Sequence, residues 1–222
     1  MKARLIAIDG PVAAGKSSVG SLLARRLGYS FFDTGIMYRA FTWKALESGI
    51  PPEDENKLCQ LASTTKFDFV PCQEGCLLPL IDGEDVSAKL FYPRVEEQVS
   101  LVSRVAGVRK VMVSEQRRLA QRGRIVMAGR DIGTVVLPWA ELKIFLIASV
   151  EERAQRRYME LIQQGSKLTY DLILAELKKR DGIDTQRAVS PLKPATDAII
   201  IDTDKITLEQ VVDTIYNLAV KQ

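Results

Sequence analysis

With 222 residues, 46% of them hydrophobic and 27% charged, the chain has the composition of an ordinary globular protein, long enough to bury a sizeable core. Its 31 basic and 28 acidic residues leave a net charge of +3, too mild to argue for nucleic acid, and no basic stripe interleaved with aromatics appears. No apolar run approaches membrane-spanning length, and the first residues lack the charged and apolar regions of a signal peptide, so a cytoplasmic protein with no membrane partner is expected. The three cysteines (Cys59, Cys72, Cys76) are odd in number; without histidine or a second pair they read as reduced thiols, not as a disulfide framework or a metal site.

The apolar run Leu5-Ile6-Ala7-Ile8 predicts a buried strand that breaks at Gly10. Gly10-Pro11-Val12-Ala13-Ala14-Gly15-Lys16-Ser17 then fits G-x-x-x-x-G-K-[ST], and Ser18 leads on into a helical segment. Glycines at these positions let the backbone curl until several N–H groups face one anion, and the helix that follows adds the positive end of its dipole. Lys16, expected to face solvent, would reach the outer phosphates, and the Ser17 hydroxyl is placed to ligate Mg²⁺. The bland alternative, a glycine-rich turn with a chance lysine, does not explain a strand before the loop and a helix after it. A nucleoside triphosphate is the expected ligand.

Val19, Leu22, Leu23 and Leu27 recur at helical spacing, and Gly28 is a helix stop. Tyr29–Phe32 reads as a second strand ending at Asp33-Thr34-Gly35, which puts polar groups at the rim of a sheet, where open α/β sheets bind ligands. A helix from near Gly35 to Gly49 carries Met37, Ala40 and Phe41 inward, with Tyr38 and Arg39 on its first turn. A third helix opens at Glu53-Asp54-Glu55 and carries Leu58, Leu61 and Ala62. From Lys66 to Cys72 the pattern alternates, Gly75 turns, Cys76–Ile81 is apolar and Asp82-Gly83 turns again: a small antiparallel insertion on the edge of the main sheet. Helical segments follow at Pro93–Val105 and Gly107–Arg122.

Arg124–Ala128 is a third buried strand, followed by Gly129-Arg130-Asp131-Ile132-Gly133-Thr134. Leu142–Ala148 and Ala198–Ile201 are a fourth and a fifth, and Thr207-x-x-Gln210 is a capping box opening the last helix. Strands alternating with helices predict an α/β fold, a parallel sheet covered on both faces. Between the fourth and fifth strands, Glu151–Gln163 places Arg153, Arg156 and Arg157 at i, i+3 and i+4, on one helix face. Gly165-Ser166 breaks that helix, Thr169–Arg180 forms another, and Asp181-Gly182 interrupts before Asp184 and Arg187. Alone, such an arginine face is a solvated one with Glu–Arg pairing. Beside a phosphate loop it has an anionic partner, and Arg130 with the later arginines exceeds what one triphosphate requires. A second anionic substrate follows, with guanidinium groups offsetting the repulsion between the two polyanions. No Asn-Lys-x-Asp is present to read guanine.

Ile8-Asp9-Gly10-Pro11 with Gly15-Lys16-Ser17-Ser18, Phe32-Asp33-Thr34-Gly35 with Tyr38-Arg39, Gly129-Arg130-Asp131-Ile132-Gly133-Thr134-Val135-Val136, Glu151-Glu152-Arg153 with Arg156-Arg157, and Arg180-Asp181 with Asp184 and Arg187-Ala188 together carry a resemblance. Along essentially its whole length the chain resembles bacterial cytidylate kinases. The resemblance implies a P-loop, nucleoside monophosphate kinase-like fold: a five-stranded parallel sheet with helices on both faces in a single domain over residues 1–222. Within it, an antiparallel monophosphate-binding insertion is expected over about 66–92 and a mobile lid over about 151–165. It implies ATP and CMP or dCMP as small-molecule substrates, Mg²⁺ as cofactor, and a monomer. Gly10 through Ser18 would hold the ATP phosphates. Thr34, Ser100 and Arg109 would read the cytosine, and Arg39, Arg130 and Arg187 would hold the CMP phosphate. Asp131, Asp184 and Arg180 would address the ribose and its surroundings, and Arg153 and Arg157 would close over the transferring group. Members of the family usually carry an acid directly before Gly-Arg-Asp, where this chain has Ala128; Asp33 or Asp9 is expected to supply part of the metal shell instead. Rival expectations are a kinase of the same fold for UMP, shikimate or dephospho-coenzyme A, and, on Ala128 alone, a non-catalytic nucleotide-binding module.

Overall fold

Strand alternation sorts the chain's apolar side chains into two cores, one on each side of a single sheet. The computed structural model describes residues 2–72, 75–163 and 165–221. In it, β1 (Leu5–Asp9) lies at the centre of a five-stranded parallel sheet, between the strands β6 (Ile125–Gly129) and β7 (Leu142–Ile147). Outside these lie β2 (Ser30–Asp33) next to β6 and β8 (Ile199–Asp202) next to β7. Ile6 and Ile8 of β1, with Val126 and Ala128 of β6, pack on the face covered by α1 (Lys16–Leu27) and α8 (Leu208–Lys221). Ala7 and Met127 point to the opposite core, shared with α2 (Thr34–Glu47), α3 (Glu55–Thr64), α4 (Pro93–Val102) and α5 (Ala106–Ala120). Because the sheet is covered on both faces, its strands read as continuous apolar runs.

The insertion forms a separate antiparallel sheet of β3 (Phe67–Pro71), β4 (Leu77–Ile81) and β5 (Glu84–Asp85). Phe67, Phe69, Leu77 and Ile81 enter the main core, where Phe69 meets Phe32 edge-on with 5.0 Å between ring centres. The Phe31 N–H donates to the Gly75 carbonyl at 3.0 Å, so the hairpin is tied to the edge strand β2.

Two expectations are corrected. Cys72 and Cys76 are not separate thiols: they face each other across the β3–β4 hairpin, their Cα atoms 5.2 Å apart, and are joined by a disulfide, while Cys59 is free. Antiparallel pairing places residues four apart opposite one another around a tight turn, a relation that spacing alone did not reveal. Nor does Asp181-Gly182 interrupt a helix, for α7 runs unbroken from Tyr170 to Gln186. Glycine inside a helix costs about 1 kcal/mol, and here the Asp181 carboxylate is gripped by Arg153 while the Asp181 carbonyl accepts from the Thr185 hydroxyl. The helix before it, α6 (Val150–Gln163), joins α7 through Gly165 and forms with it a small core of Ala154, Ile173 and Leu177, apart from the two main ones.

Candidate active site

The carboxyl ends of β1, β2, β6 and β7 converge where strand order reverses, the crevice in which open parallel sheets bind ligands. After β1 the chain turns at Gly10, whose φ is +149°; a Cβ there would lie 2.3 Å from the Leu146 carbonyl of β7, so only glycine fits. Gly15, at φ +85°, caps α1 and turns its first N–H groups toward the loop. Lys16 is not solvent-facing as expected but buried, 7% exposed, its Nζ curled back to donate to the Pro11 carbonyl at 2.5 Å. Burial, and then the neighbouring Arg130 guanidinium, push its pKa well below the ordinary lysine value. The Ser17 hydroxyl, exposed at the loop mouth, donates to Asp33 Oδ2 at 2.5 Å. Asp33 Oδ1 accepts the Gly35 N–H at 2.8 Å and so caps α2.

Asp9 does not take up a metal-ligating position. Its Oδ1 accepts the Ile132 N–H at 2.8 Å and its Oδ2 the Gly133 N–H at 2.7 Å, so both oxygens are committed to pinning the turn Ile132–Val136. Burial raises its pKa to about 6 even against those two bonds.

The segment after β6 meets α2 and α7. Thr34 donates its hydroxyl to the Ala128 carbonyl at 2.9 Å, and a Cβ on Gly129 would lie 2.6 Å from Thr34 Oγ1. Arg109 of α5, 3% exposed, donates to Asp131 at 2.5 Å and to the Ser103 carbonyl at 2.9 Å. Arg187 lies 3.9 Å from Asp131 and 3.8 Å from Asp184, and Arg130 donates to Asp184 at 2.8 Å. These residues form one chain of alternating charge, Arg109–Asp131–Arg187–Asp184–Arg130. The acids are themselves buried in the cluster, not surface carboxylates drawing the arginines away. Burial alone would raise the Asp184 carboxyl, but Arg130, Arg187 and Arg180 outweigh it and hold it below the ordinary value.

Arg180 of α7 differs from the others, having no ion-pair partner among the described residues. Burial, then the nearby Arg130 and Arg39, push its pKa down to about 10. Within the same cluster Arg109 Nε, Arg187 Nη2 and the Tyr38 hydroxyl are buried without a hydrogen-bond partner. Orphaned donors are costly unless a ligand or water completes them. Together they leave unmet hydrogen-bonding capacity inside a buried, cationic cluster.

The arginine face of α6 does not act as one surface. Arg153 is buried and donates to both Asp181 oxygens, at 3.2 and 2.6 Å, and to the Val12 carbonyl of the phosphate loop at 3.1 Å. Arg156 turns to Thr203, next to β8. Arg157 pairs with Glu160 at 2.9 Å and faces Glu96 of α4 at 4.0 Å. Glu96 also accepts from Arg39 Nε at 2.6 Å. Ser100 lies on α4, half-buried, and its carbonyl accepts the Ser103 hydroxyl; none of its hydrogen bonds among the described residues reaches the cluster. Sequence reasoning missed Glu96, Asp181 and Tyr38 as members of this region. Tyr38 lies under Arg109, whose guanidinium carbon is 5.4 Å from the ring centre, and burial raises its phenol to about 12. The one signal for it was its place directly before Arg39 on the first turn of a rim helix.

A family model described as cytidylate kinase matches residues 6–221. The chain belongs to the cytidylate kinase family. It is 49% identical over 221 residues to a cytidylate kinase of Streptococcus equi subsp. equi, covering 100% of this chain and 98% of that protein. It is 46% identical over 217 residues to one from Bacillus licheniformis, covering 98% and 96%. It is 44% identical over 217 residues to one from Bacillus subtilis, again covering 98% and 96%. Among solved structures, a shikimate kinase from Bacteroides thetaiotaomicron aligns over 99% of both chains at 12% identity with a TM-score of 0.51, a likeness of fold. Of the described helices, none is long and apolar enough to cross a membrane.

Proposed function

We propose that this chain transfers the terminal phosphoryl group of ATP to the phosphate of CMP or dCMP. The observation that carries the reading is the continuity of cationic groups. Lys16 of the phosphate loop feels Arg130, and Arg130 in turn neighbours Arg180, beside Arg39, so two anions bound there would meet end to end. Main-chain N–H groups of Gly10–Ser18 and Lys16 hold the donor phosphates; Arg39, Arg130, Arg180 and Arg187 hold the acceptor phosphate. Tyr38, Thr34, Arg109 and Asp131 form the adjoining polar pocket for the base, with Ser100 at its edge, and Asp184 faces the ribose. The chain's part in the reaction is alignment and neutralisation: opposed polyanions repel, and fixed guanidinium groups offset that repulsion while holding the reacting oxygens in line. Arg153 and Arg157, on α6, close over the transferring group as part of a lid spanning about 151–165. The small separate core of α6 and α7, with Gly165 at its turn, suits a segment that moves as a unit. The insertion over about 66–92 borders the acceptor side.

Mg²⁺ fits Ser17 and Asp33. A hydroxyl and a carboxylate are hard oxygen donors, and they meet at the loop mouth. Ala128 pairs in register with Asp33 across β6 and β2, so the Asp33 carboxylate stands beside the position where the family usually has its acid. When bound, Mg²⁺ would neutralise phosphate charge. Among the described residues no group of three or more acidic or thiol ligands gathers to hold a metal unaided, which agrees with an ion that keeps waters and phosphate oxygens as ligands.

A screen of ADP release over CMP, dCMP, UMP, AMP, shikimate and dephospho-coenzyme A, with ATP and Mg²⁺, tests the proposal. CMP and dCMP are expected to turn over fastest. Turnover of another acceptor with none of CMP would overturn it, and ATP binding without turnover of any acceptor would favour a non-catalytic module.

A further inference from the structure

Glu96 sits where a substrate anion would be expected. It projects from the first turn of α4, yet its ion-pair partners come from two other helices. Its Oε1 accepts from Arg39 of α2 at 2.6 Å, and its Oε2 faces Arg157 of α6 at 4.0 Å. Arg180 of α7 is near enough to be felt by the carboxylate. The side chain is mostly shielded from water, and the start of α4 adds the positive end of a helix dipole. Burial would raise the Glu96 pKa, but Arg39, Arg180 and Arg157 outweigh it and keep the group ionised.

Surface ion pairs contribute little to stability as a rule. Here one carboxylate gathers guanidinium groups that the preceding section assigns to the acceptor phosphate and the lid. A carboxylate and a phosphate present the same kind of paired oxygens to a guanidinium fork, the phosphate with more charge and one more oxygen. Both cannot take the same donors of Arg39 at once.

We propose that Glu96 is a displaceable internal anion: it occupies Arg39 and faces Arg157 before the acceptor arrives, keeping these two guanidinium groups drawn together, and is exchanged for the acceptor phosphate on binding. The inference rests on the acceptor reading above. Glu96 is thus a positioning residue that competes with substrate, and its loss strengthens phosphate binding instead of weakening it.

The test compares wild type with Glu96→Gln, which keeps size and removes charge, by calorimetric titration with CMP and with cytidine. CMP is expected to bind up to about fivefold tighter to the variant, the factor equivalent to losing one partly exposed ion pair, with cytidine unchanged. Equal affinities for CMP in both proteins, or CMP and cytidine weakened together as a merely structural role would require, overturn the proposal. Inorganic phosphate serves as a separate probe, read as the rise in Tm it produces. If the wild type binds no CMP, the acceptor reading fails, and phosphate still decides for Glu96: a larger rise in Glu96→Gln supports the exchange, an equal or smaller one refutes it. Should Glu96→Gln not fold, Glu96→Asp, which withdraws the carboxylate by one methylene, carries the same comparison with a smaller expected gain.

Discussion

Between Gly10 and Ser18 the proposed binding groups are mostly main chain, contributed by consecutive residues whose glycines are held by the close approach of β7 and by positive φ. The proposed acceptor side is built in the opposite way, from side chains on α2, α4, α5, the segment after β6, and α7, each pair meeting only through the fold. The first region is local and tolerates little change in backbone. The second is distributed, and its cations divide into those with a buried acid partner and Arg180, which has none among the described residues. Paired arginines carry stability as well as binding, whereas an unpaired one is held there at a cost that only a ligand offsets.

Substitutions break the comparison at different points. Lys16→Ala is expected to lower kcat roughly a thousandfold, the scale of removing a preorganised charge from a transition state. Its Tm should hold or rise, because a desolvated cation beside Arg130 is lost. Steady-state kinetics with thermal melting checks both halves. Arg109→Met should strand Asp131 in the interior and cost about 3 kcal/mol in urea unfolding, as breaking a buried pair does. Arg180→Met should do the reverse: roughly a hundredfold loss in kcat/KM for CMP, with unfolding free energy unchanged or higher. Equal stability losses in Arg109→Met and Arg180→Met would erase the distinction between paired and unpaired arginines.

Asp9 sharpens the contrast on the donor side, because its work is structural. Its folded pKa of about 6 lies above the ordinary 3.8, so the native state holds the proton more tightly. Its contribution to stability is therefore fully present below about pH 4 and is lost as pH rises through 6, by about 2–3 kcal/mol in all. Asp9→Asn, which cannot ionise, should become relatively less destabilising by that amount between pH 4 and pH 7, measured by denaturant unfolding at each pH. A difference that stays constant across that range would show that Asp9 does not titrate there. The smallest effect is expected from Ala128→Asp: a few-fold fall in the Mg²⁺ concentration needed for half-maximal rate, since a second carboxylate would join Asp33 at the loop mouth. Superimposable Mg²⁺ titrations would mean that Asp33 alone suffices.

The same contrast explains what could be read from the amino-acid order. The phosphate loop was legible because strand, glycine spacing and helix start all lie within one run, and the sheet was legible because buried parallel strands are short apolar runs between helical periods. The antiparallel insertion followed from alternation between turn residues. Arg130 was legible from its place directly after a buried strand beside the phosphate loop, Arg187 only through its family motif. The partners of Arg39 and Arg153, Glu96 and Asp181, were not, since each ion pair joins two different helices and no local pattern distinguishes these acids from solvated ones. Lys16 was expected in solvent because nothing in the loop's own sequence tells that the fold buries it, with Arg130 and Asp184 as neighbouring charges. Gly182 was taken for a break because helix propensity was weighed without the tertiary contacts of Asp181 that carry the helix through.

The claim on which the rest depends is that two phosphate chains lie end to end between Lys16 and the arginines around Arg180. An adenosine–cytidine dinucleoside pentaphosphate, which joins donor and acceptor through one polyphosphate chain, tests it most directly by inhibition kinetics. The predicted result is competition with both ATP and CMP, and binding tighter than either nucleotide alone. Competition with ATP only, at an affinity no better than that of ATP, would contradict the account.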